Sequence, residues 1–272
     1  MTEPASNAPN RIVFFFYGLL GHVMFLAVFM YMIGFLGNLV VPKSIDSGTA
    51  GPVGQAIAIN VGLILLFGVP HSIMARPGFK SWWTKRVPVP IERSTYVWIS
   101  NVALILLLWQ WRPMPETVWQ VDHSVGTAVL YGLFGFGWFL VVYSSFLIDH
   151  FDLLGTRHVF LYLRGREYTA PGFKNSMAYR LVRNPLMLGW FIAFWCTPSM
   201  SQGHLLFAIG LTAYGFVGIL CEERDHKQFL GEAYQRYRSR TPMILPWPRP
   251  RVPAPSRVPT QSAASVAESR RA

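Results

Sequence analysis

The chain has 272 residues, 52% of them hydrophobic and only 14% charged, with a formal net charge of +11. An ordinary soluble domain has about a quarter of its residues charged, so this balance excludes a typical water-soluble globule and puts an integral membrane protein first. Ten Trp, eleven Tyr and twenty Phe suit that class, because rings with one polar edge settle at headgroup level; two cysteines, Cys196 and Cys221, are too few for a disulfide framework or a thiolate zinc site.

Residues 1–11 read as an N-terminal tail. Ile12 to Val41 is then uncharged over thirty residues, where a bilayer core needs about twenty, so it can cross with tilt or a kink. It runs too long for a signal peptide and no small-residue cleavage site follows, so it is expected to stay in the protein. Ala56 to Ala75 is the second span, with Asn60, Pro70 and His71 inside it. Thr95 to Trp111 is the third and Thr127 to Ile148 the fourth, where Gly132, Gly135 and Gly137 offer small surfaces for helix contact. Pro185 to Met200 and His204 to Cys221, joined only by Ser201, Gln202 and Gly203, read as an antiparallel hairpin that Pro185 opens. The expected architecture is an all-α integral membrane protein of about six transmembrane helices, folded over 12–245. The segment 246–272, rich in Pro among Ser, Ala and Arg, reads as a disordered tail.

Charge orients these spans. Of the 24 Lys and Arg, 22 fall on the N-terminal tail, 76–94, 149–184 and the segment after 221, leaving Lys43 and Arg112 on the other side. The basic side is expected to be cytoplasmic, with both termini there. Membrane orientation accounts for the basic charge, so no nucleic-acid partner is expected. His123 and His204 fall on the outer side and read as surface residues; His22 reads as structural.

Ionisable groups near membrane depth are costly, and four sets gather at the basic ends of the spans. They are His71, Ser72 and Arg76; Asp149, His150 and Asp152 in I-D-H-F-D; Arg180, Arg183 and Asn184; and Glu222 through His226. Carboxylates at a helix C-terminus oppose the macrodipole, so Glu222 and Glu223 ask for a cationic partner, with Arg180 and Arg183 as the candidates. The bland reading of each set is a solvated helix end. A metal bound by His71, His150 and Asp152 lacks the paired ligand spacing of metal motifs, and no nucleotide-binding glycine loop is present.

The C-terminal third reads Y-R-L-V-R-N-P-L-M-L-G at 179–189, then the hairpin, E-E-R-D at 222–225, F-L-G-E-A-Y at 229–234, Tyr237 and Pro242. This pattern resembles the isoprenylcysteine carboxyl methyltransferase superfamily, with Asn184 where a His is usual and Leu230 inserted between Phe229 and Gly231. GVPHSIMARPGFKSWW at 68–83, IERSTYV at 91–97, LLLWQWRPMP at 106–115 and FLIDHFDLLGTRHV at 146–159 resemble the bacterial methanethiol S-methyltransferases of its NnrU-like branch. The resemblance implies transfer of a methyl group from S-adenosyl-L-methionine to methanethiol in a bacterial inner membrane. It places the cofactor against Tyr179, Arg183, Asn184 and Gly189 on one side and Glu222, Glu223, Tyr234 and Tyr237 on the other. A small alkanethiol has a pKa about two units above neutral, so its proton must be removed or shared. His71 and His150 are the candidate bases, Asp149 or Asp152 could fix a tautomer, and Arg76 or Arg157 could stabilise a thiolate. Tyr96, Trp98 and Phe151 are the expected acceptor wall. A different lipid-soluble acceptor and a non-catalytic NnrU-like membrane protein stay open.

Overall fold

A computed structural model describes residues 8–170 and 177–247; most of the N-terminal tail, the segment 171–176 and most of the Pro-rich tail lie outside the described residues. The elements run α1 (Ala8–Gly37), α2 (Val53–Met74), α3 (Pro77–Trp83), α4 (Val89–Gln110), β1 (Thr117–Gln120), α5 (Ser124–Ile148), α6 (His150–Leu153), α7 (Thr156–Leu163), α8 (Ala178–Leu181), α9 (Pro185–Trp195), β2 (Ser199–Ser201) and α10 (Gln202–Arg240). Five of these, α1, α2, α4, α5 and α10, are long and apolar enough to cross a bilayer. The chain is an all-α, multi-pass membrane protein, and the four long spans expected before residue 150 stand where the uncharged runs placed them.

The fifth expected span is different. Helix α9 has eleven residues, about 16 Å at 1.5 Å each, against a hydrocarbon core of about 30 Å. Thr197 precedes Pro198, which keeps it out of the helical region, and the chain continues extended into β2. Non-helical backbone at that depth needs protein around it, and Thr197, Met200 and Ser201 are indeed buried. Strand β2 pairs antiparallel with β1, so a helix and an extended segment together lead from the basic end to the start of α10.

Contacts order the spans as a closed ring. α1 packs on α4, α4 on α2, α2 on α10, α10 on α9 and α9 on α5; Phe29 against Trp138, with ring centroids 5.1 Å apart, closes α5 onto α1. The α5–α9 seam depends on glycine: a Cβ on Gly137 would lie 2.7 Å from the Ala193 backbone nitrogen, and one on Gly189 would lie 2.8 Å from the Gly137 oxygen. Aromatic side chains, among them Phe35, Trp111, Trp138 and Phe207, fill the core. His204, expected at the surface, is fully buried there with Nε2 3.0 Å from the Phe194 carbonyl.

The two ends differ in charge. At one end Ser201 donates to Asp46, Lys43 to the Trp109 carbonyl and Asn60 Nδ2 to the Arg112 carbonyl. The other end collects Arg11 over the Tyr162 ring, Arg76 on Asp225, Arg93 on the Leu153 carbonyl and Arg183 on Glu223. The basic loops thus share one end, as the sequence required. Helix α10 does not stop at Cys221 but runs on through the charged segment, since a helix leaving the bilayer needs no apolar face. Gly231, at φ +53° and ψ −129°, breaks it; that backbone region is glycine's. The turn brings Tyr234, Tyr237 and Thr241 back onto the segment 179–184.

Candidate active site at the basic end

His71 lies in the last turn of α2, where three helices meet. Its Nδ1 shares a 2.7 Å hydrogen bond with the Tyr214 hydroxyl of α10, and its Nε2 shares a 2.6 Å bond with the Tyr96 hydroxyl of α4. Ser72 Oγ donates to the Tyr214 oxygen at 3.3 Å. Gly68 admits the Tyr214 ring, which would stand 3.0 Å from a Cβ there, and the Arg93 guanidinium lies 4.7 Å from the Tyr96 ring centroid. Both imidazole nitrogens are therefore held by phenols, and among the described residues no carboxylate bonds the ring.

A cleft of about 330 Å³ runs between α2 and α4, with Phe67 and His71 on one wall and Trp98 and Leu106 on the other. Leu66 and Val102, 47% and 49% exposed, stand at its mouth. They lie on faces whose other exposed residues are apolar, including Leu65, Val69, Ile73 and Ile105, so the mouth faces lipid. The Trp98 indole donates to the Tyr17 carbonyl at 3.0 Å and Ser100 to the Tyr96 carbonyl at 2.8 Å. His71 is the one titratable side chain in the lining.

The cofactor-side residues gather at the basic end, but several are committed to each other. Arg183 bonds Glu223 Oε1 through Nε at 2.7 Å and Nη2 at 2.5 Å, and its Nη1 donates to the Thr241 and Arg238 carbonyls. The expected Arg–Glu pairing is present, yet the guanidinium is spent on protein rather than turned to a ligand. Asn184 likewise bonds the Met243 carbonyl through both its backbone N–H and Nδ2. Tyr237 donates to the Tyr179 carbonyl at 2.6 Å, and the close approach that Gly189 permits is to α5. Glu222 is exposed beside this frame. Burial, then the charge of Glu222 and the neighbouring Tyr237, pushes the Tyr179 hydroxyl up from its ordinary value. Burial and the nearby Tyr234 push Tyr237 up to about 12. An exposed carboxylate beside the half-buried Tyr179 fits the ammonium and adenosine of a nucleoside amino acid.

The I-D-H-F-D residues form a separate cluster. His150 Nδ1 shares a 2.8 Å bond with Ser145 Oγ, and its ring packs against His22, with centroids 5.1 Å apart, and Phe146. His22 Nδ1 in turn meets Thr156 Oγ1 at 2.7 Å. Burial and the nearby His22 lower the His150 pKa, which Asp149 opposes. Asp149 caps α6 by accepting from the Asp152 N–H. Asp152 receives Arg157 at 3.0 Å and the Tyr168 hydroxyl at 3.2 Å, and Arg157 also holds the Thr169 carbonyl. Neither Asp149 nor Asp152 bonds His71 or His150 in the structure, and Asp152 also lies 3.6 Å from His158 Nε2. Arg76 is paired with Asp225 at 3.1 Å; of the expected acceptor wall Trp98 lines the α2–α4 cleft, Tyr96 stands outside the lining bonded to His71, and Phe151 packs away from it beside His22 and His150. Among the described residues no group of three or more His, Cys, Asp or Glu is placed to hold a metal.

Sequence reasoning passed over Tyr214. It sorted membrane-depth residues by formal charge, and a phenol inside an apolar helix carries none; the hydroxyl's need for a partner when buried was the available signal.

Comparison with curated proteins places this arrangement among known ones. The chain is 50% identical over 239 residues to the methanethiol S-methyltransferase of Mycobacterium tuberculosis, covering 88% of this chain and 98% of that protein. It is 45% identical over 238 residues to the methanethiol S-methyltransferase of Crocosphaera subtropica, covering 88% and 93%. A more distant likeness, 28% over 167 residues and 58% of this chain, is to Nurim of Sus scrofa. No family model and no solved structure matches. With half its residues identical across almost all of a curated relative, the chain belongs to the methanethiol S-methyltransferase family.

Proposed function

We propose that the chain methylates methanethiol to dimethyl sulfide with S-adenosyl-L-methionine as donor, in a bacterial inner membrane with both termini cytoplasmic. The observation that carries this reading is His71, a single titratable group in the wall of an otherwise apolar, lipid-facing cleft, in a chain of this family. A neutral, volatile thiol partitions from the bilayer into such a cleft without losing hydrogen bonds, whereas a charged acceptor would pay the full desolvation cost.

The donor, when bound, supplies a methyl group on a sulfonium sulfur that keeps the electron pair of the broken bond. Glu222, Tyr179 and Tyr234 are the residues that would hold it. Arg183, Glu223, Asn184 and Tyr237 fix the wall on which it rests. His71 takes up the proton that the thiol must lose, and the surrounding apolar helices keep water away from the reacting sulfur.

The test is gas chromatography of the headspace over membranes given methanethiol and the donor. Dimethyl sulfide is expected; its absence, with the protein folded, removes the reading. His71→Ala should abolish turnover and leave donor affinity, measured by calorimetry, nearly unchanged. A cleft of this volume has room for longer alkyl chains, which favours ethanethiol and propanethiol as second acceptors in the same assay. A protein that bound no S-adenosylmethionine would instead be a non-catalytic member of the superfamily.

A further inference from the structure

Resting on the methyltransferase reading, we infer that Tyr96 is the group that takes the thiol proton and passes its own to His71, with Tyr214 and Ser72 holding His71 in the tautomer that can receive it. The argument begins with what His71 lacks. A direct base needs a nitrogen facing the substrate, and both nitrogens of this ring are already bonded to phenols at 2.7 and 2.6 Å. A neutral imidazole has one donor and one acceptor, so one phenol must accept from it and the other must donate to it.

The relay uses the arrangement in which Tyr214 accepts and Tyr96 donates. Tyr214 is the fixed partner: Gly68 makes room for its ring and Ser72 donates to its oxygen. Ser72 occupies one of the two acceptor positions of that oxygen, and in this arrangement a His71 Nδ1–H fills the second. The Nε2 lone pair is then left to accept the Tyr96 O–H. Tyr96 keeps both of its own lone pairs for an incoming proton, and its neighbours favour gaining electron density. The Arg93 guanidinium over its ring attracts the negative charge that builds on the phenol as its proton departs. Tyr96 is not itself in the cleft lining, but it is bonded to His71, which is, and on α4 it shares a face with Ile99, Ser100 and Ala103, which line the cleft.

The step balances without another reactant. The S–H bond breaks and its proton bonds to Tyr96 Oη, while the Tyr96 O–H proton bonds to His71 Nε2. The sulfur lone pair so released takes the methyl group. Tyr96 ends neutral, His71 ends as imidazolium, and that single positive charge replaces the one lost from the sulfonium. Release of the proton to cytoplasmic water completes the cycle. Tyr96 is then a catalytic residue, and Tyr214 is a positioning residue that acts through His71.

The experiment pairs two acceptors of different acidity in membranes carrying the full chain. Tyr96→Phe should lower kcat for methanethiol about 10²-fold, the usual scale of lost proton transfer, with donor affinity unchanged by calorimetry. A fluorinated ethanethiol, acidified by its electron-withdrawing substituents and largely ionised at the assay pH, needs no relay. On it Tyr96→Phe should keep nearly wild-type kcat. Tyr214→Phe should lower kcat for methanethiol with KM little changed. In the 15N NMR spectrum of histidine-labelled, donor-free protein it should turn the His71 ring from a single Nδ1–H tautomer into a mixture, the signal being assigned with His71→Asn. Equal losses on both thiols would make the tyrosines structural and overturn the relay, as would full activity of Tyr96→Phe on methanethiol or an Nε2–H tautomer in the wild type. If the wild type methylated neither thiol, the methyltransferase reading itself would fall, a result distinct from any of these.

Discussion

Arg183→Ala separates a residue that touches the cofactor from one that builds its wall. The Arg183 and Glu223 side chains are 3% and 6% exposed, and three of the guanidinium nitrogens are used: Nε and Nη2 on the carboxylate, Nη1 on the carbonyls of residues 238 and 241. Removing one partner of a buried pair leaves the other charge uncompensated, at about 3–5 kcal/mol. Arg238 Nε, 3.4 Å from Glu223 Oε2, would remain, but that side chain is 45% exposed and such pairs are worth about 0–1 kcal/mol. The loss should therefore be close to the full range. In detergent, Arg183→Ala should lower the thermal midpoint markedly and expose the segment after Gly231 to trypsin, which cuts at Arg236, Arg238 and Arg240. Adding Glu223→Ala should restore part of the midpoint, because the orphaned charge is gone. Donor affinity should fall with the single change and recover in step with the fold. Lost affinity at an unchanged midpoint would refute this reasoning and make Arg183 a direct ligand contact.

His150 gives a pH test. Its pKa is lowered by burial and by His22, so below the ordinary value of about 6.5 the unfolded chain binds more protons than the folded one. That stabilisation is complete above about pH 6.5 and is lost as pH falls through the folded value. His150→Gln should therefore flatten the acid limb of the midpoint-against-pH curve, and an unchanged limb contradicts the assignment. Gly137→Val puts a side chain where backbone atoms of Ala193 and Gly189 stand at 2.7 and 2.8 Å, so α5 and α9 must part at about 1–3 kcal/mol. Gly135→Ala, with nothing within 4 Å of the new Cβ, should be neutral in the same melting assay; equal effects would mean the seam is not tight. Reporter fusions near residue 165 should read cytoplasmic and fusions in 115–122 periplasmic, and the reverse pattern would invert the proposed orientation.

The spans were legible because the bilayer imposes one simple rule, a run of about twenty residues without charge, and the loops because lysine and arginine mark one side. The same rule misplaced several boundaries: α1 ends at Gly37 rather than Val41, and α4 begins at Val89 rather than Thr95. Met200 ended an apolar run, but Pro198 had already stopped the helix and left α9 at eleven residues. Cys221 ended another, although a helix can run on into water as α10 does as far as its break at Gly231. At the site, the Arg183–Glu223 pair could be anticipated, since acids at a helix C-terminus ask for a cation. The partner of Gly189 could not: the sequence shows small residues on two helices without showing which ones face each other. The histidine cluster around Ser145 and Thr156 and the phenols around His71 were hidden for a related reason, because uncharged hydroxyls leave no mark in a charge pattern.

Those hydroxyls explain how a proton acceptor can be kept at membrane depth. In many catalytic dyads a carboxylate orients the histidine, but an ionised carboxylate beside His71 would sit in the wall of an apolar cleft, where its cost is several kcal/mol unless a cation joins it. Phenols fix the same ring with no formal charge, and the nearest cation, Arg93, reaches Tyr96 from the basic end while its Nε is held by the Leu153 carbonyl. Along α10 the two chemistries are then separated by helical rise alone. Tyr214 and Glu222 are eight residues apart, about 12 Å, so the helix that orients the neutral acceptor's base among phenols ends, two turns on, in the carboxylate offered to a charged donor. Under the proposed reading this spacing, rather than any one residue, lets a lipid-soluble thiol and a water-soluble cation approach from different phases. Lengthening the stretch between them by one residue in α10, which turns Glu222 by about 100° relative to Tyr214, should cost turnover far more than it costs His71 its hydrogen bonds.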